Sequence, residues 1–208
     1  MSHMASIRRS GLLVLAGVIL VALGWLADWW RVGVRDSVGG LYLFRERLIE
    51  VQHYCQADGR WAGDALGGTP SSLGAEGCAV TCAAMVLRAH GYETDPSLLN
   101  RWLSANGGYT EQGWIHWEKA AELTDGILEH AYEAAPSYRL MDLELLRGNP
   151  VIVRVRRPGA SNTHFVVVVG KWRRRYLVAD PAERALSRRY LDEIAPKIEA
   201  LRFYRRLR

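Results

Sequence analysis

At Gly148-Asn149-Pro150 the chain changes character. Upstream, apolar residues recur at helical spacing between capping residues. Downstream come short runs dense in β-branched and aromatic residues: Val151 to Val155, His164 to Val169, Tyr176 to Ala179 and Leu201 to Tyr204. Runs of this kind, bounded by Gly, Pro, Asn and Asp, predict strands. Helices first and strands afterwards is the order of an α+β fold, a helical half followed by an antiparallel sheet, rather than an alternating parallel one. Hydrophobic residues make up 49% of the 208, enough to bury one sizeable core.

Within the helical half, Gly77 reads as a turn residue free to take φ > 0. Cys78 to Leu87 lack Pro and Gly and are mostly small or apolar, which predicts a buried helix that Gly91 terminates. Cys78 then lies at a helix N-terminus, where unpaired N–H groups and the positive dipole end favour a thiolate over a thiol. A small buried Cys packing as a hydrophobe is the commoner case, so other residues must decide. His164 opens an apolar strand. Asp180 closes the next one, just before Pro181, with Trp172 to Arg175 as the hairpin tip between them. Gln56 lies upstream in the segment Tyr54-Cys55-Gln56-Ala57-Asp58. The order Cys, His, Asp is one way to assemble a nucleophile, a base and an orienting group. A Gln before the Cys can donate a hydrogen bond to an oxyanion. Further helices are predicted after the cap Asp95-Pro96, over Trp114 to Leu123 and over Met141 to Arg147. Trp114 and Trp117 read first as core aromatics and second as walls of a groove.

These residues together resemble the papain-like peptidases of the bacteriocin-processing type, whose best-known members cut leader peptides after a double glycine. The likeness begins at Gln56-Ala57-Asp58 with Trp61 and is strongest at Gly77-Cys78-Ala79 with Thr81 and Ala84-Met85-Val86-Leu87. It resumes at Gly148-Asn149-Pro150-Val151 and ends with His164-Phe165-Val166-Val167-Val168-Val169-Gly170 and Ala179-Asp180-Pro181. It implies a papain-like fold over residues 51–208, with Cys78 as nucleophile, His164 as base, Asp180 as the group orienting His164 and Gln56 as oxyanion donor. It further implies a peptide or protein substrate cleaved through a thioester. Two other classes share the residues: an acyl-transfer enzyme such as a transpeptidase or amidase, and a non-catalytic peptide-binding module of a secretion system. Cys55 and Cys82 are expected beside the site in a structural role, and in an oxidising compartment they could pair. No nucleotide-binding glycine motif appears, and His53, His90, His116 and His130 are scattered, so neither cofactor nor metal is expected.

Residues 1–30 carry a different signal. Met1-Ser2-His3-Met4 reads partly as a cloning remnant. Gly11 to Ala27 contains no charge and sits at the short end of the roughly 17–25 residues that cross a bilayer. Trp25, Trp29 and Trp30 fall where an interfacial aromatic belt would lie. Ala22-Leu23-Gly24 would suit a signal-peptide cleavage site instead. The tryptophans favour an uncleaved, single-pass anchor in the bacterial inner (plasma) membrane. Arg8 and Arg9 then put the N-terminus in the cytoplasm and the catalytic domain on the extracytoplasmic side. Residues 31–50 read as a connector. Gly39-Gly40 makes a break, and Leu41, Phe44, Leu48 and Val51 form the apolar stripe of a short amphipathic helix.

Charge is uneven. Residues 151–208 hold 13 Arg and 2 Lys against 5 acidic residues, while the whole chain is only +5. A basic C-terminal third can attract anionic lipid or an acidic substrate, with Arg173-Arg174-Arg175 as the contact point. Nucleic acid is not expected, since no reading motif accompanies the charge.

Overall fold

The apolar N-terminal run belongs to one helix, α1 (Ser2–Trp30). The structure, a computed structural model, describes the backbone of residues 2–207 and the side chains of residues 13–207. Met1 and the side chains of His3, Met4, Arg8 and Arg9 lie outside the described residues. Leu13–Trp30 has a mean hydropathy of 1.9 and no residue of it is fully buried in the protein. It is long and apolar enough to cross a membrane.

Two strands follow, β1 (Arg35–Asp36) and β2 (Val38–Leu48), then four helices, α2 (Leu73–Glu76), α3 (Cys78–Ala89), α4 (Pro96–Ala105) and α5 (Trp117–Glu122). The rest of the chain is β3 (Leu128–Glu133), α6 (Tyr138–Arg147), β4 (Val151–Val155), β5 (His164–Ala179), β6 (Arg189–Tyr190) and β7 (Lys197–Arg206). All pairings are antiparallel, in the order β1-β7-β4-β5-β2, with β3 on β7 and β6 on β5. The expected α+β architecture is therefore present.

The β-branched runs are apolar at nearly every position because helices cover both faces of the sheet. Val151, Val153, Val166 and Val168 belong to one core cluster with Tyr138, Met141 and Leu145 of α6. Ile152, Val167 and Val169 belong to the other, with the α3 residues Val80 to Leu87. Helix α3 is buried from Val80 to Leu87, as its composition predicts. Caps also form as read: Asp95 accepts from the Leu98 N–H at 2.7 Å, and Gly148 ends α6 at φ 86°.

The expected amphipathic helix over residues 41–51 is not formed. Those residues are largely strand β2, which pairs with β5 from Val38↔Arg175 to Leu48↔Gly170. Phe44 is 90% exposed and Leu48 59%, so the helical stripe faces nothing. The run Leu41-Tyr42-Leu43-Phe44 has strand propensity, and a sheet edge was available to complete. Residues 31–50 are thus woven into the sheet rather than acting as a connector beside it.

Gly77 also departs from expectation. Its φ is −77°, so a left-handed backbone is not what requires glycine. A Cβ there would run into Leu73, including its Cδ2 at 2.7 Å. The glycine lets α2 turn directly into α3, and this sets Cys78 at the first position of α3.

Candidate active site

His164 and Asp180 bracket β5, yet the His164 Nε2 to Asp180 Oδ1 distance is 2.7 Å. A straight strand of that length would hold its ends about 50 Å apart. The chain must therefore double back within β5. Arg173 adopts φ 53°, the conformation of a tight hairpin turn, as expected for the Trp172 to Arg175 tip. His164 and Asp180 consequently face each other across the hairpin's open end.

Helix α3 brings Cys78 to the same place. Its N-cap, Gly77, supplies no side-chain cap, so the first-turn N–H groups stay available to an anion. Nε2 of His164 is taken by Asp180, which leaves Nδ1 as the nitrogen for Cys78. Burial alone would push the His164 pKa down, but Asp180 and Cys78 outweigh it and hold it above its ordinary value. Asp180 behaves in the mirrored sense. Burial would raise it, while His164, the Ala182 N–H at 2.9 Å and Arg157 keep it below the usual carboxylate range.

Gln56 is tied in through its backbone, whose N–H donates to the Pro181 carbonyl at 2.8 Å. Its side-chain Nε2 donates to Gly74 O at 3.0 Å, which leaves its second amide proton free for an oxyanion. All four predicted residues are brought together, three of them lining one cleft of about 790 Å³ with Trp114 and Trp117. Trp117 is buried and Trp114 is 71% exposed. Trp114 is thus a cleft wall rather than a core residue, and α5 begins only at Trp117.

The sequence reading missed Arg157. Its Nη2 donates to Asp180 Oδ2 at 2.9 Å and lies 2.8 Å from His164 Nε2. One ring nitrogen cannot both donate to Asp180 and accept from Arg157, so the useful bond is the one to Asp180. That bond leaves Oδ1 aimed at the imidazole. The only sequence signal was a cation in the loop before His164. Cys55, Cys78 and Cys82 are all free thiols. Cys82 is fully buried, and burial first, then Cys78 and Asp180, push its pKa well up. Among the described residues no cluster of His, Cys, Asp or Glu forms a metal-ligand set.

The geometry makes a pH prediction. Asp180→Asn removes the negative charge that helps raise His164 and leaves only a neutral acceptor, while the opposing burial remains. The alkaline limb of the kcat/KM profile should move to lower pH, and kcat should fall yet stay measurable. A pH profile checks this, and an unmoved alkaline limb would show that Asp180 does not control the imidazole.

The family model described as the Peptidase_C39 like family matches residues 48–207. No curated protein matches the sequence. Among solved structures, the chain is similar to the crystal structure of a candidate C39-like peptidase from Bacillus anthracis. The two are 15% identical, the match covers 64% of this chain and 90% of that one, and the TM-score is 0.44.

Proposed function

Because the chain belongs to the Peptidase_C39 like family, we propose that it is a membrane-anchored cysteine peptidase that cleaves a peptide or protein substrate through a Cys-His-Asp triad. One observation carries the reading: Cys78, at an uncapped helix start, shares the His164 imidazole with the buried Asp180 carboxylate. Cys78 attacks the scissile carbonyl as the thiolate, and the Gln56 amide and the first-turn N–H groups of α3 receive the oxyanion. His164 passes its proton to the leaving amine, which gives a thioester on Cys78. A water activated by the now neutral His164 then releases the acid. Asp180 keeps the ring oriented and stabilises the imidazolium, without itself taking the proton.

Anchoring rests on Leu13–Trp30, and the extracytoplasmic placement of the domain on Arg8 and Arg9 in the sequence. At the end of α1, Trp29 Nε1 donates to Asp142 Oδ2 at 3.0 Å, the Arg139 guanidinium lies 4.1 Å over Trp30 and that of Arg174 lies 5.5 Å from Trp25. The β5 tip therefore sits beside the last turns of the span. Much of the C-terminal positive charge is paired, Arg175 with Asp192 and Glu193 and Arg205 with Glu144. Among the described residues Arg173 and Arg174 make no ion pair, and they are the contact we assign to anionic headgroups.

One experiment tests thiol, anchor and side together. A membrane-impermeant thiol-alkylating probe is applied to intact spheroplasts of a bacterial host making the full-length chain. Labelled full-length protein should stay in carbonate-washed membranes, and Cys78→Ala should abolish the label. Equal labelling of Cys78→Ala would overturn the nucleophile assignment. A shortened, soluble labelled product would overturn the anchor, and labelling only after lysis would reverse the side.

A further inference from the structure

The sheet face that packs against α3 carries a cation where the pattern calls for an apolar residue. Arg202 sits in the run Ala200-Leu201-Arg202-Phe203-Tyr204 of β7, across from Ile152 on β4 and Tyr132 on β3. It is 6% exposed and lines the cleft that contains Cys78 and His164. Its guanidinium lies 4.3 Å from the Tyr132 ring, 5.2 Å from Trp117 and 5.4 Å from Phe165.

Three arginines line this cleft. Arg157 is paired with Asp180 and Arg154 with Glu199, whereas Arg202 has no carboxylate partner among the described residues. Its Nε is buried without a hydrogen bond, and Nη1 makes only a long contact to Leu201 O at 3.4 Å. Burial, with Arg154 adding and Tyr132 opposing, pushes its pKa down to about 10, so it stays charged at neutral pH. The neighbouring His130 supplies no counter-charge. It stacks on Trp117, and burial and Arg202 push its pKa to about 4. The hydroxyl of Tyr204, also beside Arg202, donates to Trp117 O at 3.0 Å. Glu118 is turned to solvent, its side chain 65% exposed. Among the described residues the one acidic side chain lining the cleft, Glu76, belongs to the helical half.

A buried cation without a carboxylate partner is destabilising, and a Leu or Met would pack this aromatic wall without that penalty. The aromatic faces offset part of it through cation–π contact. What remains matches a specificity pocket: a buried charged donor that is left unpaired unless the right ligand enters. We propose that Arg202, with Arg154 beside it, forms a subsite for a substrate carboxylate, so that the cleft selects peptides carrying one within a few residues of the scissile bond. The inference rests on the reading of this cleft as a peptidase site. The carboxylate is either an acidic side chain or the peptide's own C-terminus.

The test uses full-length Cys78→Ala in detergent, immobilised and incubated with hexapeptide pools that it cannot cut. Each pool fixes one position as Glu or Gln and has no other acidic residue. One set is amidated and one has a free C-terminal acid. Retained peptides are counted by mass spectrometry. We expect Glu to be enriched over Gln by about tenfold or more at one position of the amidated set, the scale of a single charge-assisted hydrogen bond. If the ligand is the C-terminus, the free-acid set is enriched instead. Arg202→Gln should erase the preference. If that variant does not fold, the preference must instead collapse in the unchanged pocket as the pH falls below the Glu pKa of about 4.3 and the carboxylate is protonated. Equal retention of every pool overturns the subsite. A clear enrichment with no cleavage of those peptides by the wild type leaves the subsite standing and overturns the peptidase reading.

Discussion

Replacing Cys78 with alanine should lower peptide turnover by about 10³-fold or more while leaving the protein folded. Members of a catalytic unit act together, so loss of the nucleophile removes nearly all that the unit contributes. The substitution should cost little stability. Cys78 is partly exposed at the mouth of a cleft, so removing its sulfur opens no sealed cavity, and alanine is a good helix residue. Asp180 keeps its partners Arg157 and the Ala182 N–H. We expect the unfolding free energy to change by no more than about 0.5 kcal/mol. Turnover of a defined peptide and a denaturant melt, measured on the same preparation, check both halves. A folded Cys78→Ala protein that cleaves at the wild-type rate would sink the mechanism.

The largest stability effect should come from Asp142→Ala. Asp142 and Lys171 are almost fully buried, and together they join four parts of the chain. Asp142 Oδ2 accepts from Trp29 Nε1 at the end of α1 and from Leu41 N of β2 at 2.7 Å. Its Oδ1 accepts from Lys171 Nζ and from Tyr176 OH at 3.0 Å. Lys171 uses its remaining donors on Gly39 O at 2.8 Å and Tyr176 OH at 3.0 Å. Burial nonetheless pushes the Lys171 pKa down to about 8 against the pull of Asp142. Desolvation therefore outweighs the pair, and the pair sets geometry more than it adds stability. Removing Asp142 strands a buried cation and two N–H donors, which should cost about 3–5 kcal/mol. Lys171→Met in the same background should recover part of that, because the stranded charge is the main cost. Denaturant unfolding of the single and double variants gives the coupling. A loss below about 1 kcal/mol for Asp142→Ala would show that α1 and β2 do not depend on this joint.

Strands were legible where burial is two-sided and the residues β-branched, as at Val151–Val155. Residues 41–51 were misread because a run of mixed apolar and charged residues satisfies a helical and an extended pattern equally. The choice fell to β5, whose edge offered backbone partners to whatever chain lay beside it. Strand β3 was missed for the same reason, since Leu128–Glu133 is strand by virtue of pairing with β7.

Local sequence determined the caps at Asp95 and Gly148, the buried run of α3 and an apolar segment long enough for a membrane, because each depends on neighbours within a few positions. Cys78, His164, Asp180 and Gln56 could be nominated from their order and resemblance alone. Only the tertiary structure decided that Arg157 grips Asp180, that Lys171 is sealed against Asp142, and that Arg202 faces the cleft with no carboxylate partner among the described residues while nearby arginines find carboxylates. An arginine's meaning lies in which acid the fold brings within a few ångströms of it. That distance is set by pairings across the sheet between residues far apart in the chain, and the Coulomb energy and desolvation that follow from it have no signature in the local sequence.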